Sequence, residues 1–251
     1  APTLAVSSPS PAILSRGCKL ALITVVSDLH LGQSFALGQF KDFLADLRKR
    51  VRPEMLILAG DILELAWMSW EDLKEQKLAM DALDELKSFA ASIETCYLAG
   101  NHDPYDKIPK DEVHPIHVVA PPAGGAAYLD LNGVIFTHGF QFDVTTHVWD
   151  SLLRLPLKRL LPWLYVKMYG TPYEVRTKRS KQEFLEYVGW VTGRAAMEAI
   201  RQGKDLCFGH THWPVFMDLG GRVVVNSGDW RDSNSFILVE DGKMSLKFWR
   251  P

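Results

Sequence analysis

The chain has 251 residues, 47% of them hydrophobic and 23% charged, with a formal net charge of -2. These values exclude a disordered or fibrous chain and give no overall electrostatic case for a nucleic-acid partner. At this length one large α/β domain with a substantial core is expected.

Residues 1–19, rich in Ser, Pro and Ala, lack the basic start and clean apolar run of a signal peptide. They are read as a loose tail ahead of a single domain, 20–251. "LALITVV" (Leu20 to Val26) is an unbroken β-branched run, as in a strand covered on both faces. Phe40, Phe43, Leu44 and Leu47 then follow the i, i+3, i+4, i+7 spacing of a helix with one buried face. "MLILA" (Met55 to Ala59) reads as the second strand and "TCYLA" (Thr95 to Ala99) as the third. Between them a helix from about Glu71 to Ala91 carries its apolar stripe on Ala79, Leu83, Leu86 and Phe89. "AAYLDL" and "VIFT" flank Asn132-Gly133, the signature of a hairpin with a primed turn. A helical insertion over about 144–203 follows, with one clear helix marked by Phe184, Tyr187, Val188 and Val191. Its most apolar stretch, Ser151 to Gly170, is interrupted by Arg154, Lys158, Arg159, Lys167 and two prolines, so no membrane span is predicted. "LCF", "VFMDL", "RVVVN", "SFILVE" and "SLKFW" close the chain as short strands. The pattern predicts two sheets packed face to face with helices outside. Cys18, Cys96 and Cys207 have neither CxxC nor zinc-finger spacing and are read as reduced thiols of a cytoplasmic protein.

Five of the predicted strands end on a restricted set of polar residues. The first delivers Asp28 and His30, the second Asp61, and the third Asn101 and His102. "VIFT" delivers His138, and "LCFG" delivers His210 and His212. Ligands of open α/β sheets collect at the carboxyl ends of strands, so the five endings are expected to converge. Imidazole and carboxylate without thiolate suit divalent Mn, Fe, Zn, Co or Ni, with Mn the first choice. Two such ions, roughly 3.5–4 Å apart, can hold a bridging hydroxide nucleophile and neutralise a phosphoryl transition state. Glycines at 60, 100 and 209 are expected to relieve crowding where the backbone turns beside the ions.

D-x-H (28–30), GD (60–61), GNHD (100–103), H-G (138–139) and GHTH (209–212) resemble, in order, the five motifs of the calcineurin-like metallophosphoesterases. The resemblance implies a four-layer α/β/β/α sandwich of two mixed sheets, here with a helical insertion as a cap. It also implies one ion on Asp28, His30, Asp61 and His212, and a second on Asp61, Asn101, His138 and His210, with Asp61 as the bridge. His102 would contact the phosphate and protonate the leaving oxygen, oriented by Asp103. Within the family, "SDLHLG", "GDILELAWMSW", "HGFQFD", the insertion and "VNSGDW" look most like the UDP-2,3-diacylglucosamine pyrophosphohydrolase subgroup. That subgroup has Arg where this chain has His102, and Asp where it has Phe140; Asp143 is a nearby carboxylate. A general phosphodiesterase or phosphomonoesterase is therefore the alternative, with a nuclease or a silent binding scaffold behind it. From Ser151 to Lys181 eight basic residues face a single acid, Glu174, with Trp163, Tyr165 and Met168 interleaved. Such a stretch suits a phosphorylated or lipid-nucleotide substrate or peripheral contact with an anionic membrane, and Arg176, Lys178 and Arg179 join Asp143 as candidate substrate-binding residues.

Overall fold

The computed structural model describes residues 22–33, 37–123, 125–143 and 181–251. Six strands form the first sheet: β1 (Leu22–Val26), β2 (Met55–Ala59), β3 (Glu94–Leu98), β4 (His117–Val119), β10 (Ser235–Glu240) and β11 (Lys243–Phe248), in the order β11-β10-β1-β2-β3-β4. β1, β2, β3 and β4 run parallel, with Val26 opposite Leu58 and Ala59 opposite Leu98, while β10 lies antiparallel to β1. The second sheet contains β5 (Tyr128–Leu131), β6 (Val134–Thr137), β7 (Asp205–Phe208), β8 (Val215–Asp218) and β9 (Val223–Asn226), in the order β5-β6-β7-β9-β8. Here β6, β7 and β9 are parallel. Both sheets are mixed.

The α-helices among the described residues are α1 (Leu37–Asp46), which runs on into a π-helical turn at Leu47–Val51, α2 (Trp70–Lys74), α3 (Lys77–Ala90), α4 (Lys110–Val113) and α5 (Lys181–Gln202). The predicted stripes of α1 and α3 are buried in one large core that includes both faces of β1 to β3. The alternation of β7 shows the layering: Cys207 faces that core, while Leu206 and Phe208 face a smaller cluster under α5. Ala195, Ala196 and Ala199 on α5 keep that face small, which lets the helix lie close to β7 and β9. The layers are thus helix, sheet, sheet, helix.

The hairpin turn has Asn132 at φ 53° and Gly133 at φ 81°, as a type I′ turn requires. The predicted helix from Glu71 to Ala91 is instead two helices. Ser69 and Asp72 form a capping box that starts α2, and Gln76, at φ -89° and ψ 93°, leaves the helical region before α3 begins. β4 is an element the sequence pattern does not announce, since three residues are too few to show a period. Of the predicted insertion, α5 is described and 144–180 lie outside the described residues, as do the tail and Cys18. Among the described residues no helix is long and apolar enough to cross a membrane.

Candidate metal centre

Because the parallel strands of each sheet end on one edge, the loops that follow them meet across the sandwich. The loops after β1 and β2 run on together: the amide of Asp28 donates to the Gly60 carbonyl (3.1 Å) and that of His30 to Asp61 (2.9 Å). In the other sheet the Gly209 amide donates to the His138 carbonyl (2.8 Å). Asp28, His30, Asp61, His210 and His212 all adopt left-handed backbone, with φ between 46° and 70°. Non-glycine residues there cost on the order of 1 kcal/mol each and persist only where the surroundings hold them. A Cβ on Gly100 would collide with Asp61, and one on Gly209 with Ser27 and Asp28, so close approach explains these two glycines.

Side chains whose donor atoms lie within 4.8 Å of one another form three groups: Asp28, His30 and His212; Asp61, His138 and His210; and, sharing His30 with the first, His30, Glu64 and His102. In the first, Nε2 of His212 is 3.3 Å from Nε2 of His30 and 3.4 Å from Oδ1 of Asp28. In the second, Nε2 of His138 is 3.1 Å from both Oδ2 of Asp61 and Oδ1 of Asn101. Asn101 Oδ1 is also 3.0 Å from Nδ1 of His210. Asp61 Oδ2 reaches towards both of these groups, lying 3.9 Å from His30 Nε2.

Each of the four histidines is braced from behind. Nδ1 of His30 is 2.8 Å from Oε2 of Glu64, and Nδ1 of His212 is 3.3 Å from Oδ2 of Asp229. Nε2 of His210 is 3.0 Å from Oδ2 of Asp143, and Nδ1 of His138 is 2.9 Å from the Ala59 carbonyl. The carbonyl can only accept, so His138 donates from Nδ1 in either charge state. In the neutral ring this leaves the Nε2 lone pair facing two oxygens.

His102 stands beside the first group, its ring edge-on to His30 at 4.7 Å, and its backbone amide donates to Asp61 Oδ1 (2.8 Å). The brace expected for it is corrected. Asp103 is buried and turned the other way, accepting from the backbone amides of Asp61, Ile62, Leu63 and Gly100 and from the Tyr97 hydroxyl. It ties the loops after β2 and β3 together and does not hold the imidazole. Nδ1 of His102 is instead 2.7 Å from Oε1 of Glu64, so one carboxylate serves His30 and His102 together.

The electrostatics match this arrangement. Burial alone would raise the Glu64 carboxyl, but hydrogen bonds from His102 and His30 outweigh it and hold it at about 2. Burial opposes charge on His102, yet Asp61 and Glu64 push it up to about 9. Burial likewise opposes charge on His138, and Asp61 pushes it up to about 10. Asp61 is held well below the usual carboxylate range by His138, His102 and His30, against its burial. The pocket thus carries a strong demand for positive charge among its carboxylates. A second sign is Oδ1 of Asp28, which is buried without a hydrogen-bond partner and points at His212. An acceptor left unmade in this way costs about 1–3 kcal/mol. A divalent cation would satisfy both, and hard oxygens with neutral imidazoles are a donor set that such ions take.

Asp28, His30, Asp61, Asn101, His102, His138, His210 and His212 are therefore brought together, with Asp143 at their edge. Arg176, Lys178 and Arg179 lie outside the described residues. Glu64 and Asp229 were not anticipated as site residues. Both stand inside stretches already singled out, "GDILE" and "VNSGDW", and Glu64 is nearly fully buried, which an unpaired acid would not tolerate.

A family model for the calcineurin-like phosphoesterases matches residues 21–214, a span containing all five sequence motifs and all three groups of donors. The chain belongs to the calcineurin-like phosphoesterase family. It is accordingly a metal-dependent phosphoesterase. Solved structures with similar chain courses include YfcE, a phosphoesterase from E. coli (15% identity, TM-score 0.46, covering 91% of this chain and 100% of that one). TT1561 of Thermus thermophilus (13%, 0.49, 92% and 100%) and an archaeal phosphodiesterase (11%, 0.45, 91% and 99%) are similar to a like degree. No curated protein sequence gives a significant match.

Proposed function

We propose that this phosphoesterase works with two divalent ions, one held by Asp28, His30, Asp61 and His212 and the other by Asp61, Asn101, His138 and His210. The observation that carries this is the pair of adjoining donor groups with Asp61 Oδ2 between them. When bound, such a pair supplies Lewis acidity that lowers the pKa of an attacking water and offsets phosphoryl charge. The chain's own contribution is to fix the histidine rings through Glu64, Asp143, Asp229 and the Ala59 carbonyl, and to offer a proton from His102 to the leaving oxygen. Glu64 keeps that imidazole protonated and aimed, which suits a general acid.

On the substrate side, the reading is a phosphodiester or diphosphate bond in a nucleotide-lipid such as UDP-diacylglucosamine. Trp213 directly follows His212, is 39% exposed, and its ring meets Phe184 of α5 edge-on at 5.7 Å. That exposed aromatic pair, next in sequence to His212, suits a base or an acyl chain. Apolar Trp190, Met197 and Ile200, exposed on α5 alongside Arg194 and Arg201, suit contact with an anionic membrane.

The test is a panel of UDP-diacylglucosamine, other nucleotide diphosphate esters, cyclic nucleotides and simple phosphomonoesters, each with Mn²⁺, Fe²⁺, Zn²⁺, Co²⁺ or Ni²⁺. Preference for the acylated diphosphate with Mn²⁺ is expected. Equal turnover of simple esters would favour a general phosphoesterase, and no turnover with any ion would overturn the two-metal reading.

A further inference from the structure

We propose that Asp143 and Tyr187 form a positioning pair that fixes the His210 ring for its ion, so that helix α5 governs occupancy of that position; this rests on the two-metal reading above. His210 presents two nitrogens to two different partners. Nε2 lies 3.0 Å from Oδ2 of Asp143, and Nδ1 lies 3.0 Å from Oδ1 of Asn101, on the side of Asp61 and His138. A carboxylate accepts, so the Nε2 proton points at Asp143 and the Nδ1 lone pair is turned inwards. Tyr187 donates its hydroxyl to the same Oδ2 of Asp143, at 2.8 Å. The carboxylate is thereby held from the far side by a residue of α5.

Both members of the pair are set by packing. Asp143 ends the short turn Phe140–Phe142, its amide donating to the Phe140 carbonyl (3.0 Å). Phe142 of that turn is buried edge-on to Phe208, in the cluster where Val191, Ala195 and Ala199 seat α5. Tyr187 packs against the same cluster. A shift of α5 on the second sheet would therefore move Tyr187, then Asp143, then the ring that must present Nδ1. The other braces are not residues of this helix: Glu64 and Asp229 come from loops after β2 and β9, and Ala59 ends β2. Carboxylates behind ligating histidines set tautomer and ring orientation, and losing one costs about 10–100-fold in metal affinity.

The decisive measurement is calorimetric titration of metal-free full-length protein with Mn²⁺, alongside the thermal midpoint of the metal-free protein. Asp143→Ala is expected to weaken one of two binding events by about 10–100-fold and leave the other unchanged. His210→Ala serves as the benchmark by weakening the same event. Asp143→Asn keeps an acceptor oxygen and should recover part of the loss. Tyr187→Phe, which removes only a hydroxyl, should weaken that event by a smaller factor with the metal-free midpoint unchanged, and it decides the matter if Asp143→Ala fails to fold. Unchanged affinity at both positions in Tyr187→Phe and Asp143→Ala would overturn the pairing while leaving the two-metal reading intact. A wild-type protein that binds fewer than two ions would overturn that reading first.

Discussion

The half of the site built on the first sheet and the half built on the second reach similar donor sets by different means. Asp28, His30, Asp61, Asn101 and His102 hang from three consecutive parallel strands whose loops bond one another, and a single buried acid, Glu64, braces both of their histidines. His138, His210 and His212 need supports from distant parts of the chain: Ala59 in the other sheet, Asp143 with Tyr187, and Asp229 beyond β9. The histidine brace of the first half comes from that half's own loop, while the braces of the second are drawn from both sheets and backed by α5. Substitution of His102 should strike chemistry directly, while substitutions of the candidate ligands and their braces in either half should act through metal retention.

Asp61 Oδ2 reaches towards both groups of donors, so Asp61→Asn should be the most severe change. Activity on bis-p-nitrophenyl phosphate is expected to fall on the order of 10³-fold or more, with metal content reduced at both positions, as loss of several kcal/mol of charge stabilisation implies. Full activity would remove Asp61 from the centre. His102→Ala should keep both ions but slow alkyl esters on the order of 10²–10⁴-fold, with a milder effect on p-nitrophenyl esters, whose leaving group scarcely needs the proton. Equal slowing of both would deny His102 the acid role.

Glu64→Ala sharpens the contrast between halves. It should weaken one ion by about 10–100-fold and also steepen the leaving-group dependence that His102 flattens, whereas Asp143→Ala should touch metal affinity alone. Identical kinetic signatures in the two variants would erase the distinction. The smallest expected effect concerns the two cysteines among the described residues, one in each sheet: Cys96 on β3 and Cys207 on β7. Burial, with Glu94 nearby, pushes the Cys96 thiol to about 12, and burial raises that of Cys207. At about pH 8 neither should react with iodoacetamide in the folded protein, because the thiolate is the nucleophile. As both lie in one core cluster, they should become reactive together in denaturant; early labelling of Cys207 would show the second sheet peeling away first.

Much of this was legible in the sequence. The strands ending in Asp28, Asp61, Asn101 and His138 follow apolar runs too short and too β-branched for helices, and Asn132-Gly133 names its own turn. The candidate ligands were legible as a group because each stands at a strand end, and the structure brings them together. Their braces were less so, since a contact such as Glu64 with His102 depends on where two loops cross. Asp103, adjacent in sequence, was the natural choice, but the four amides and the tyrosine hydroxyl around it claim its oxygens. The break at Gln76 was hidden because neither Gly nor Pro interrupts the chain between Trp70 and Ala90.

The imidazole of His138 donates to the carbonyl of Ala59, and the amide of His210 donates to Asp28 Oδ2 at 3.1 Å. Both bonds cross from one sheet to the other, so the seam of the sandwich runs through the site itself. Any ion that prefers the closed seam adds its own binding free energy to closure, about 2.7 kcal/mol when its concentration is about a hundred times its dissociation constant. The centre is thus also a clasp, and a chelator should loosen the whole sandwich as well as silence it.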